Sequence, residues 1–88
     1  MFETIEIKAV KDDIGDLIRA IRKNRKLTQI ELANSIDVSV TTIKKLEKGQ
    51  NFTIDTLLKI LKELDLLELL NSEITQAKAQ VSNTKSLY

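Results

Sequence analysis

The sequence predicts an all-α fold of five short helices, and three observations carry that expectation. Apolar residues recur at helical spacing, at Ile14, Leu17, Ile18 and Ile21 and again at Leu57, Leu58, Leu61 and Leu64. Helix-initiating residues stand at Thr28, Ser39 and Thr53, each just ahead of an apolar-periodic run. The 88 residues include no proline, and a 42% hydrophobic, 3% aromatic composition suits one modest core of interlocking helices built on Leu and Ile.

Taken in order, the first helix is expected to be capped by Asp12 or Asp13, with basic residues near its C-terminus, where the helix dipole favours them. The second begins at Thr28, because Glu31 three residues later completes a capping box. In it Ile30, Ala33 and Ile36 turn inward with Leu32 beside them. Asp37 ends it, since aspartate tolerates the left-handed backbone of a sharp reversal, and Val38 points back to the core. Ser39 caps a third helix, with Ile43 and Leu46 on its inner face, Gly49 as its stop, and Val40, Thr41, Lys44, Lys45 and Lys48 facing outward. Thr53 caps the fourth. Asp65 with Glu68 opens a short fifth, whose leucines at 66, 67, 69 and 70 cover more than one face and point to contact with another chain.

The ends differ in kind. Ile5, Ile7 and Ala9 alternate with Glu6 and Lys8, the period of a half-buried strand, which either pairs with the same segment of a second molecule across a dimer axis or lies as an extended arm on its own domain. From Thr75 onward the chain is polar and aperiodic. The expected organisation is an arm or strand over 1–11, a domain over 12–74 and a flexible tail over 75–88.

Composition narrows the chemistry. With no cysteine and no histidine, disulfides and the usual zinc sets are absent, and no phosphate-cradling glycine loop is present, so no catalytic residue, metal site or cofactor is expected. No apolar run reaches the length of a membrane span, and a cytoplasmic location is expected. The net charge is only +1, yet residues 17–50 carry Arg19, Arg22, Lys23, Arg25, Lys26, Lys44, Lys45 and Lys48 against Glu31, Asp37 and Glu47, a local net of +5.

Three pieces carry a resemblance: LTQIELA (Leu27 to Ala33), the S-x-x-x-I-x-x-L-E-x-G run from Ser39 to Gly49, and TIDTLLKILKEL after it. Together they resemble the helix-turn-helix domain of the phage lambda and 434 repressor and Cro group, the XRE family, from about Ile14 to Leu70. Asp37 stands where that family often has glycine, and Val40 where several relatives have glutamine. The resemblance implies a lambda-repressor-like domain that binds double-stranded DNA, and an ion pair between Arg22 and Glu47. On that frame the helix starting at Ser39 enters the major groove, where Thr41 and Lys45 reach base edges and Val40 meets a thymine methyl. Gln29, Ser39 and Thr42 bond phosphates, while Lys23, Lys44, Lys48 and Asn51 position the protein without reading sequence.

The expected assembly is a homodimer through Ile5 and Ile7 or through Leu66, Leu69 and Leu70. The expected role is a sequence-specific transcriptional repressor. The alternative is a HipB-like antitoxin, because TLLKILKELDLLELL is similar to the corresponding part of small helix-turn-helix proteins that partner HipA-type kinase toxins.

Overall fold

The computed structural model describes residues 4–83, which form five helices and no strand: α1 (Ile7–Asn24), α2 (Gln29–Ser35), α3 (Val40–Glu47), α4 (Ile54–Glu63) and α5 (Leu67–Asn83). Ile18 of α1, Leu32 of α2, Ile43 and Leu46 of α3, Ile60 of α4 and Leu64 just beyond it are fully buried. Helix α3 packs on both α1 and α2, and α4 packs on α5. Alone among the helices, α5 buries no residue.

The inner faces differ from the expected ones at three points. In α2 the stripe is Leu32, Ala33 and the half-buried Ile36, which leaves Ile30 60% exposed. In α4 Ile60 is fully buried and joins Leu61, Leu64 and the half-buried Leu57 at i, i+3, i+4, i+7 spacing, with Leu58 at the edge. Val40, expected to face outward, is half-buried against the core.

The strand expected between Glu3 and Val10 is absent from the described residues. Helix α1 starts at Ile7 after an extended Glu6, well ahead of the caps expected at Asp12 or Asp13, and Ile5 and Ile7 are 74% and 76% exposed. Winding as a helix puts Lys8, Lys11 and Asp12 on one side, facing the end of α3. There Lys8 Nζ reaches Asp12 Oδ1 at 2.6 Å and the Gly49 carbonyl at 3.3 Å, and Lys11 Nζ reaches Asn51 Oδ1 at 2.6 Å. A cation at a helix C-terminus is favourable, so these contacts select the helical period over a short alternation. The polar segment expected as a tail from residue 75 is helical to Asn83, because a helix already nucleated at Leu67 extends readily through Ala77, Lys78, Ala79 and Gln80. Residues 84–88 of that segment lie outside the described residues, as does Glu3.

Helices α1 to α4 all end in the same reversal. The residue after the C-cap is left-handed at Lys26 (φ 61°), Asp37 (58°), Gly49 (72°) and Asp65 (61°). In each case its N–H and the next one bond back to the last turn: Lys26 to Lys23 O and Leu27 to Arg22 O, Asp37 to Asn34 O and Val38 to Ala33 O, Gly49 to Leu46 O and Gln50 to Lys45 O, Asp65 to Lys62 O and Leu66 to Leu61 O. These are Schellman motifs. Asp65 thus closes α4 instead of opening α5. Three of the four put a side chain where glycine is conformationally free, and the next residue in each, Leu27, Val38 or Leu66, packs on the core.

Gly15 serves a different purpose. A Cβ there would lie 2.6 Å from the Leu46 carbonyl oxygen and 2.7 Å from that of Glu47, so α1 and the end of α3 approach backbone to backbone.

Two stability changes are expected. Asp37→Gly should raise stability by a few tenths to about 1 kcal/mol by relieving the left-handed position, while Asp37→Val should lower it. Gly15→Ala should lower the melting temperature, because overpacking of about 1–3 kcal/mol exceeds the roughly 1 kcal/mol gain in helix propensity. Thermal melts followed by circular dichroism check both, and an unchanged or raised midpoint for Gly15→Ala would contradict the close approach.

Candidate nucleic-acid interface

Helices α2 and α3 and the turn between them are built from local chemistry. Thr28 Oγ1 accepts from the Glu31 N–H at 3.0 Å and the Thr28 N–H donates to Glu31 Oε1 at 2.8 Å, the two halves of the expected capping box. Ser39 is extended (φ −74°, ψ 152°), and its Oγ accepts from the Thr42 N–H at 3.1 Å. The Ser39 and Thr42 hydroxyls also share a hydrogen bond of 2.9 Å. Ile43 and Leu46 anchor the inner side of α3, leaving Thr41, Lys44, Lys45 and Lys48 exposed on the other.

Beneath that surface lies a buried polar network. Arg22 Nε donates to Glu47 Oε2 at 2.7 Å and Arg22 Nη2 to Glu47 Oε1 at 3.0 Å, the bidentate pair that the resemblance implies. Their side chains are 8% and 4% exposed. Arg22 Nη1 donates to the Leu27 carbonyl at 2.8 Å, and Gln29 Nε2 to Glu47 Oε1 at 3.0 Å. No buried side-chain nitrogen or oxygen among the described residues lacks a partner. The network joins the end of α1, the α1–α2 turn, the start of α2 and the end of α3.

Above it is an open cleft of about 330 Å³ lined by Arg19, Arg22, Gln29, Lys44, Glu47 and Lys48. Arg22 and Glu47 neutralise each other, so Arg19, Lys44 and Lys48 leave the cleft positive. Gln29, Lys44 and Lys48 are brought together here, whereas Thr41 and Lys45 are exposed on α3 outside the cleft. Lys23 is exposed in the last turn of α1, and Asn51 in the α3–α4 loop accepts from Lys11. Gln29 commits one of its two amide hydrogens to Glu47.

Sequence reasoning counted Arg19 in the basic cluster without giving it a place in the site, and it missed Lys11. Arg19 lies one turn before Arg22, so the Arg22–Glu47 pairing places it beside Lys48; that register was the available signal. Lys11 had none, because its contact with Asn51 depends on the first turn of α1 being helical.

Among the described residues no group of side chains is arranged to hold a metal ion, and no helix is long and apolar enough to cross a membrane. The capped pair of short helices, with a polar and basic outer face on the second, defines a DNA-binding helix-turn-helix protein. The chain matches the helix-turn-helix family HTH_3 over residues 18–70 and belongs to that family, the XRE type of DNA-binding transcription regulator. A domain of this kind is a regulatory module rather than a typical enzyme. No curated protein matches the chain.

The network makes a stability prediction. Arg22→Met leaves the Glu47 carboxylate buried without its partner and should cost about 3–5 kcal/mol, whereas Arg22→Met combined with Glu47→Leu should recover most of the loss. Urea unfolding of the two single variants and the double variant checks this; a double variant no more stable than the singles would show that the pair acts other than by mutual compensation.

Proposed function

We propose that the protein is a sequence-specific transcriptional repressor that inserts α3 into the major groove and acts as a twofold dimer on DNA in the cytoplasm. The observation that carries the reading is the division of α3: one side fully buried at Ile43 and Leu46 and tied down through Glu47, the other presenting Thr41, Lys44, Lys45 and Lys48. A helix fixed on its inner side can hold base-reading groups in register with a groove.

Thr41 and Lys45 read base edges, lysine favouring the guanine acceptors O6 and N7. Val40 is half-buried, so only its outer methyl surface is left for a thymine methyl. Lys44 and Lys48, with Arg19 beside them, neutralise phosphate across the cleft, and the free amide hydrogen of Gln29 adds a directed bond. Ser39 and Thr42 bond phosphates, and Lys23 and Asn51 position the protein without reading sequence. Two half-sites one helical turn apart, about 34 Å, supply the affinity that one small module lacks. An antitoxin would use the same DNA surface and add a kinase partner.

Selection of bound fragments from a random DNA library should yield a palindromic motif. Lys45→Ala should relax preference at one position in each half-site, at about 1–3 kcal/mol per base contact. Lys48→Ala should weaken all sequences alike and lower the slope of log affinity against log salt by about 0.9. Unchanged selectivity in Lys45→Ala would remove Lys45 from base reading, and failure to enrich any sequence would overturn the proposal.

A further inference from the structure

The start of α1 brings to the end of α3 a cation that the fold leaves uncompensated. Lys11 is half-buried, and its Nζ donates to Asn51 Oδ1, a neutral acceptor, at 2.6 Å. The neighbouring carboxylate of Asp12 is taken by Lys8 at 2.6 Å, so those two charges cancel and Lys11 is in no ion pair among the described residues. Drawing a cation partly out of water without a counter-charge is unfavourable, and an anion supplied by a ligand removes the penalty.

The donors for such an anion are already gathered. An ammonium only donates, so the Asn51 atom against it is the carbonyl oxygen, and the exposed side chain keeps its Nδ2 amide as a donor beside the ammonium. Two donor groups joined by one hydrogen bond are close enough to hold the oxygens of a single phosphate. Their placement is fixed by the fold. Lys8 Nζ reaches the Gly49 carbonyl at 3.3 Å, and a Cβ added to Gly49 would collide with the Asp12 and Lys8 side chains, so the start of α1 sits directly on the α3–α4 loop. Asn51 follows Lys48 by three residues, which carries the positive surface of the cleft past the end of α3. The family match begins at residue 18, so Lys11 belongs to a part of the chain outside it.

We propose that Lys11 and Asn51 form a phosphodiester site, in which the Lys11 ammonium and the Asn51 Nδ2 amide together hold one phosphate of the duplex beyond the end of α3. The proposal rests on the DNA reading above and adds to it a contact made by the first helix. Lys11 neutralises the phosphate and also orients Asn51, which supplies the directed bond.

Binding of the full chain to duplex DNA, followed by fluorescence anisotropy over a range of salt, tests it and needs no particular sequence. Lys11→Met should weaken binding by about tenfold at low salt and lower the slope of log affinity against log salt by about 0.9, whereas Lys11→Arg should keep both near the wild type. On the enriched sequence, single phosphates are then replaced in turn by uncharged methylphosphonate. One linkage in each bound site should matter to the wild type, matter less to Asn51→Ala and be silent in Lys11→Met. A lysine that only braced the loop would weaken binding without silencing any single linkage. Because Asn51 is exposed, Asn51→Ala keeps the fold and carries the test should Lys11→Met melt. An unchanged salt slope in folded Lys11→Met, or the wild-type linkage pattern in both variants, would overturn the site. Either result with Lys48→Ala still lowering the slope leaves the DNA reading standing, while a wild type that binds no duplex would remove both.

Discussion

The Arg22–Glu47 pair is the interaction on which the arrangement of the first three helices depends. Removing two charges from water is costly, and it is tolerable here because the contact is bidentate, every guanidinium nitrogen donates, and Glu47 also accepts from the Gln29 amide. Apolar contacts alone allow neighbouring helices to slide with modest loss, whereas a forked ion pair has one geometry. Gly15 acts with it. By letting the α1 backbone touch the last carbonyls of α3, it sets how deeply α3 sits, while Arg22 and Glu47 set its rotation.

The chain reversals explain how so few residues achieve this. Helices α2 and α3 have 7 and 8 residues, too short to be stable in isolation. Each is instead terminated by a Schellman reversal whose hydrogen bonds satisfy the last carbonyls, and three of the reversals deliver an apolar residue onto the core. The local cost of a left-handed Lys26, Asp37 or Asp65 is on the order of 1 kcal/mol, comparable to or below the gain from burying a Leu or Val side chain. Burial rather than glycine therefore decides where these helices stop.

What could be read from the sequence was whatever local chemistry determines. The caps at Thr28, Ser39 and Thr53, the stop at Gly49 and the buried Ile43 and Leu46 need only residues a few positions apart, and they stand where capping and periodicity put them. What could not be read depends on distant partners. Residues 5 to 9 satisfy a period of two, but the carbonyl of Gly49 and the Asn51 side chain, some forty positions on, reward the helical alternative. Gly15 resembles a weak point in a helix until the end of α3 is seen against it. In α2, Ile30 loses the inner face to Leu32 because α3 crosses on the Leu32–Ala33 side, a direction that spacing within seven residues leaves open. At the candidate interface, the outward facing of Lys44, Lys45 and Lys48 was visible from the motif, while the place of Arg19 on the cleft emerges only when the ion pair fixes which side of α1 lies against α3.

The site combines two mechanical regimes. Glu47 is held by three donated hydrogen bonds, and Ile43 and Leu46 are inaccessible, so the backbone of α3 is stiff where it meets the core. Lys44, Lys45 and Lys48 project from it on long stems that lose rotamer freedom when they bind. A rigid helix with mobile cations meets phosphate with little geometric demand, since a lysine ammonium is a point charge without the fixed fork of arginine. Such contacts supply affinity through counterion release and carry little sequence information. On the proposed reading, discrimination comes from the few short groups at the start of α3, whose positions the Ser39 cap fixes, and from two copies engaging at once. If the protein acts as the proposed dimer, one module's few base contacts make the spacing of the two heads contribute to specificity as directly as any side chain does.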